Sequence, residues 1–206
     1  MTETLRADAQ RNRLRILEAA RVVFAEHGLD APVTEIADRA GVGVGTIFRR
    51  FPTKEHLLAA VVEQRAATLI ATADQALAQA DPGAGLRRFM EAAASLYIGD
   101  RGWCDAADTD VFGREGLREQ IDVLTARLAE LVARAQDAGV VRADVRAADV
   151  LVLLTAVAKS GLRLEEAAPG AWRRYLGIVL DGLRPGCATP LRRPLTRKEF
   201  EAVISG

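Results

Sequence analysis

Apolar residues recur along most of this chain at three- and four-residue spacing, the repeat of a helix with one buried face. Ile16, Ala20 and Val23, flanked by Leu17 and Phe24, predict a first helix over residues 11–27, with Gly28 placed to stop it. A short second helix is expected over 33–40, with Pro32 in its first turn, Glu35 and Asp38 early and Gly41 at its end. Gly41-Val42-Gly43 reads as a tight turn, and a third helix follows over about 44–51 with Ile47 and Phe51 on one side. Thr53 is suited to cap a fourth helix that carries Leu57, Leu58, Val61 and Val62 and runs to about residue 80.

Asp81-Pro82-Gly83 breaks the pattern, and a fifth helix is expected over 85–98. Residues 103–116 show no clear period. Ile121, Leu124, Leu128, Leu131 and Val132 then define a long helix over 117–138, ended by Gly139. The stretch 147–164 is apolar around nearly its whole circumference between Val150 and Val157, which requires cover on more than one side. A helix over 171–183 carries Trp172, Tyr175, Leu176, Val179 and Leu180, and a short one is expected near 197–204. No segment alternates as a half-buried strand would, so the fold class is all-α.

Composition narrows the function by exclusion. The chain has 206 residues, 50% of them apolar, with 28 basic and 28 acidic side chains for a net charge of zero. A strongly basic total would point to nucleic acid; a neutral one leaves that open, because only one face need be positive. Cys104 and Cys187 are far apart and form no metal-ligand spacing, so no metal and no cofactor is expected. The start lacks a signal-peptide pattern and no run reaches the roughly 20 apolar residues of a membrane span, so a cytoplasmic protein that does not enter the membrane is expected. His27 and His56 are the only histidines and join no Ser/His/Asp set, so no catalytic residues and no enzyme are expected.

The informative stretch runs from Val33 to Phe51: two short helices joined by a glycine-bearing turn, the outline of a helix-turn-helix. Ile36 and the small Ala37 can let the helices cross closely, Gly41 permits positive φ, Val42 fills the angle, and Gly45 leaves the backbone bare. An ordinary helical hairpin shares the bare outline, but not this order of small, apolar and basic residues.

Together with Phe24 and Gly28 before it, and Lys54-Glu55 followed by Leu57-Leu58 after it, the segment resembles the N-terminal domain of the TetR family of regulators over about residues 11–65. The resemblance implies a helix-turn-helix domain at 1–56 and a helical effector-binding and dimerisation domain at 57–206. It also implies a homodimer on double-stranded operator DNA, released by a small, largely apolar effector, as a repressor is. The third helix becomes the recognition helix, with Val44, Gly45, Thr46, Phe48, Arg49 and Arg50 toward the major groove, and with Thr34 and Lys54 as phosphate contacts. Arg49 or Arg50 is a candidate for bidentate contact with guanine, phosphate contact by both being the alternative. Three positions depart from the usual pattern: Gly43 and Val44 replace a serine and a basic residue, Phe48 replaces a tyrosine, and Pro32 replaces a threonine. The operator sequence therefore cannot be carried over.

The resemblance further assigns dimerisation to the last two long helices. Val150, Leu153, Leu154 and Val157 are the candidates on one, and Trp172, Tyr175, Leu176 and Val179 on the other. Effector-pocket candidates are Phe89, Met90, Ala93, Tyr97, Trp103, Phe112, Leu124, Leu128 and Val157, each also readable as plain core. Asp105, Asp108 and Asp110 fit either a cationic ligand or a solvated loop. Control by a protein partner, or by oxidation of Cys104, stands as the alternative to a small effector; the adjacent Asp105 disfavours an activated thiol.

Overall fold

The computed structural model describes residues 2–98, 115–187 and 189–199. Eight α-helices lie within them: α1 (Thr2–His27), α2 (Val33–Ala40), α3 (Val44–Arg50), α4 (Lys54–Leu77), α5 (Pro82–Ile98), α6 (Glu115–Asp137), α7 (Ala147–Ala167) and α8 (Trp172–Gly182). No strand occurs among the described residues, in agreement with the all-α reading. The N-terminal unit is α1 packed on α2 and α4, with α2 also against α3. The second unit is built on α4 and α6, which share the most extensive contact, with α5 against α4, α6, α7 and α8.

Helix α4 therefore serves both units, touching α1 as well as α5 and α6. Its buried residues run from Leu57 to Val62 and on through Ala66, Leu69, Ala73 and Ala76. One continuous apolar core results, from Ile16 and Phe24 in α1 to Leu176 in α8. The division expected at 56/57 falls in the first turn of this shared helix.

Most predicted boundaries lie within a few residues of those observed, and the differences have local causes. Helix α1 begins at Thr2, nine residues before its predicted start, because its first turns carry no regular apolar face. Pro32 is the N-cap of α2 and not part of its first turn: its φ of −72° and ψ of 144° are extended, which the proline ring accommodates. Helix α5 begins three residues before its predicted start. Asp81 Oδ1 accepts the backbone N–H groups of Gly83 and Ala84 at 2.8 and 3.1 Å, so the expected break also caps the next helix. Only residues 197–199 of the expected last helix are described as helical.

Candidate nucleic-acid interface

The turn between α2 and α3 is set by backbone bonding. Gly41 takes φ +64°, where a Cβ is strained, and donates its N–H to the Asp38 carbonyl at 3.1 Å. Val42 N–H reaches back to the Ala37 carbonyl at 3.0 Å, completing a Schellman motif. Arg15 on α1 adds a third closure, its Nη2 donating to the Ala40 carbonyl at 2.6 Å. Ile36, Ala37 and Ala40 are buried, so α2 presses its apolar edge on α1 and leaves Thr34 exposed.

Two pairs join α2 to the end of α1. Arg39 Nη1 donates to Glu26 at 2.5 Å, and that bond holds the Glu26 carboxyl below its ordinary range. His27 Nδ1 lies 2.6 Å from Glu35. All four side chains are partly exposed, so the pairs fix orientation more than they add stability.

Helix α3 has seven residues and buries only Ile47. Its N-cap, Gly43, makes no side-chain bond, as expected from the missing serine. The following Phe51 is 4% exposed, with the Arg13 guanidinium 5.7 Å from its ring centre. At about 100° per residue, Gly45 and Arg49 each lie about 160° from Ile47, facing away from the core. Thr46 and Phe48 lie about 100° to either side, and Val44 and Arg50 about 60°. Accessibility follows this wheel for most positions: Gly45, Phe48, Arg49 and Arg50 are exposed, while Val44 is half-buried against the core. Val44, expected toward the groove, keeps only part of its surface accessible.

Arg49 Nη2 donates to Thr46 Oγ1 at 3.0 Å, which aligns the two side chains on the outer face. Arg50 Nη2 instead donates to the Ala9 carbonyl of α1 at 3.2 Å. Thr53 caps α4, its Oγ1 accepting the His56 N–H at 3.4 Å, and this sets Lys54 half-buried beside the third helix. The sequence reading did not anticipate the contacts of Arg13, Arg15 and Arg50; each spans a tertiary gap that no local pattern records.

The expected dimer residues divide. Val150, Leu154, Val157, Trp172 and Leu176 are buried within the monomer, the most accessible of them 8% exposed. They belong to the core of the single chain. Leu153 and Val179 remain half-exposed, and Tyr175 is 48% exposed. Ile178, not anticipated, is 59% exposed one turn beyond Tyr175, and Leu151 and Val152 are also part-exposed. The i, i+3 spacing of Tyr175 and Ile178 was the available signal.

Of the effector-pocket candidates, Phe89, Met90, Ala93, Leu124, Leu128 and Val157 lie in the buried core. Half-buried Tyr97 lines a cleft of about 10 Å³ with Arg65, Leu69 and Leu96, room for about one water molecule. Trp103, Phe112, Cys104, Asp105, Asp108 and Asp110 lie outside the described residues. No group of three metal-ligating side chains and no helix long and apolar enough to cross a membrane occurs among the described residues.

This arrangement, a short outward-facing helix braced on a three-helix unit and continuous with a larger helical unit, is that of a helix-turn-helix regulator. Residues 16–61 match the profile of bacterial regulatory proteins of the tetR family. Residues 81–185 match the C-terminal domain of SbtR-like transcriptional regulators. The crystal structure of a TetR transcription regulatory protein from Mycobacterium vanbaalenii is 39% identical, covers 87% of this chain and 99% of its own, and superposes with a TM-score of 0.67. A TetR transcriptional regulator from Streptomyces coelicolor is 34% identical, covers 84% and 98% of the two chains, and has a TM-score of 0.66. The transcriptional repressor KstR of Mycobacterium tuberculosis is 40% identical over 81 residues, 38% of this chain and 37% of its own length. The chain belongs to the TetR family of transcriptional regulators.

Proposed function

We propose that the protein is a homodimeric repressor that binds double-stranded operator DNA through α3 and is released by a small-molecule effector held in the unit from residue 57 onward. One observation carries the DNA reading: α3 buries Ile47 alone and leaves Gly45, Phe48, Arg49 and Arg50 exposed, with open space before Gly45. Thr34 at the start of α2 and Lys54 at the start of α4 flank that face, where phosphates on either side of the groove would lie. Phe48 offers an apolar edge suited to a thymine methyl.

Dimerisation is supported by the part-exposed apolar surface of α7 and α8, with Leu151, Leu153, Tyr175, Ile178 and Val179. Pairing two chains there would place two α3 helices for two half-sites one helical turn apart, roughly 34–36 Å. Effector control is supported by the match to the SbtR-like C-terminal domain. An effector acts only through its difference in affinity between the DNA-bound and free conformations.

The test is binding of the full-length protein to the DNA upstream of its own gene at several salt concentrations, beside an Arg49→Ala/Arg50→Ala variant. Tight binding that weakens steeply with salt and is lost in the variant is expected. Salt-insensitive binding, or equal binding by the variant, would overturn the assignment to α3.

A further inference from the structure

The two adjacent arginines of α3 stand in different environments. Arg49 lies on the face opposite Ile47, in line with Gly45 one turn earlier. A Cβ built on Gly45 meets nothing within 4 Å, so this part of the helix has open space before it. Arg49 is exposed, and its bond to Thr46 Oγ1 uses one Nη2 proton, leaving the other donors of the guanidinium fork available. A bidentate donor pair held over bare backbone can meet the O6 and N7 acceptors of a guanine.

Arg50, about 100° further round the helix, points along the flank toward α1. Its Nη2 rests on the Ala9 carbonyl, 41 residues earlier in the chain. That contact falls in the early half of α1, whose following turns carry Arg13 over Phe51 and Arg15 on the Ala40 carbonyl. Arg13, Arg15 and Arg50 thus tie one stretch of α1 to the ends of α2 and α3. Engaged on the Ala9 carbonyl, the Arg50 guanidinium lies on the α1 flank of α3, about 100° round the helix from Arg49.

We infer that Arg49 is the base-reading arginine, recognising a guanine in each half-site, and that Arg50 is a positioning residue that fixes the start of α1 against the recognition helix. The inference rests on the proposed operator binding and assigns the two arginines separate parts in it.

The experiment is selection of the full-length protein on a duplex library with a random 20-base-pair core. Wild type, Arg49→Ala, Arg49→Lys and Arg50→Ala are compared, with amide hydrogen exchange of each DNA-free protein. Arg49→Ala is expected to keep the rest of the preferred half-site but to lose roughly 5- to 100-fold preference for guanine at one position. Arg49→Lys should lose it too, because an ammonium lacks the planar fork. Arg50→Ala should keep every base preference, bind all sequences more weakly by a similar factor, and exchange the amides of residues 8–15 faster. The inference is overturned if Arg49→Ala selects the wild-type sequence, or if Arg50→Ala shifts a base preference. It is also overturned if Arg50→Ala leaves exchange in α1 unchanged while the salt slope falls by about one, the mark of a lost phosphate contact. If the wild type itself enriches no sequence, the operator-binding reading fails, and this inference with it.

Discussion

The Arg15 guanidinium lies 2.6 Å from the Ala40 carbonyl and crowds the place where a Cβ on Gly41 would sit, at 3.0 Å. One side chain from α1 thus both closes the end of α2 and backs the turn that aims α3. Arg15→Ala is expected to cost about 1 kcal/mol, the scale of a partly exposed charge-assisted hydrogen bond. Gly41→Ala should cost about 1–2 kcal/mol, because φ +64° is strained for any residue with a Cβ. Both changes disturb the same corner, so the double variant should lose less than the sum. Urea unfolding of the three variants measures this; strict additivity would show that the corner is not a shared unit.

Three glycines separate folding from binding. A Cβ on Gly85 would lie 2.6 Å from the Ala76 carbonyl oxygen, and one on Gly161 would lie 2.5 Å from Ile98 Cδ1, whereas one on Gly45 meets nothing. Gly85→Ala forces backbone apart where α4 meets α5 and is expected to destabilise by about 1–3 kcal/mol. Gly161→Ala should cost less, since a side chain can yield more readily than a carbonyl. Gly45→Ala should be neutral or stabilising by up to about 1 kcal/mol from helix propensity, yet weaken DNA binding at least tenfold if bare backbone meets the groove. Thermal unfolding and anisotropy titration on the same variants decide it. A Gly45→Ala protein with unchanged affinity would remove the close approach.

The segment after α8 is held to the α6–α7 connection through Arg142 and Asp144. Asp144 accepts from buried Arg142 at 2.6 Å and from the Leu191 N–H at 3.2 Å, while Arg142 also donates to the Thr189 carbonyl. The Arg142 hydrogen bond is the main cause that lowers the Asp144 pKa from 3.8 to about 2. A carboxylate lowered on folding contributes stability above its unfolded value and loses it as pH falls through its folded one. The difference in stability between wild type and Asp144→Asn should therefore be constant above about pH 5 and shrink from pH 4 to 2. The protection of the Leu191 amide, its exchange rate relative to the intrinsic rate at the same pH, should fall over the same range. Protection that does not change with pH would mean that this contact does not depend on Asp144.

Tyr175 and Ile178 share the outer face of α8, 48% and 59% exposed. A charge at Ile178 should break a paired interface while sparing the fold, because the side chain lies outside the monomer core. Ile178→Asp is expected to sediment as a monomer with unchanged circular dichroism, and to lose most of its affinity for a two-half-site operator. A dimer of wild-type strength would place the interface elsewhere.

The period of apolar residues, the helix-stopping glycines and the Val33–Phe51 order were sufficient for the all-α class, the course of the main helices and the helix-turn-helix. These are local matters: a 3.6-residue repeat, a residue tolerant of positive φ and a cap each act within one turn of chain. Helix α7 shows where local reading ends. Val150, Leu151, Val152, Leu153 and Leu154 are equally apolar in sequence, and only packing against α5, α6 and α8 buries Val150 and Leu154 while leaving the other three part-exposed. The same holds for Arg49 and Arg50, identical neighbours in sequence. The carbonyl of Ala9, brought near by the crossing of α1, distinguishes them. The sequence by itself determined which segments are helical and which of them form the recognition unit, because those depend on short-range geometry. The tertiary structure alone decided which apolar faces are spent on the core and which of the two arginines is bonded to α1, because those depend on what lies opposite across the fold.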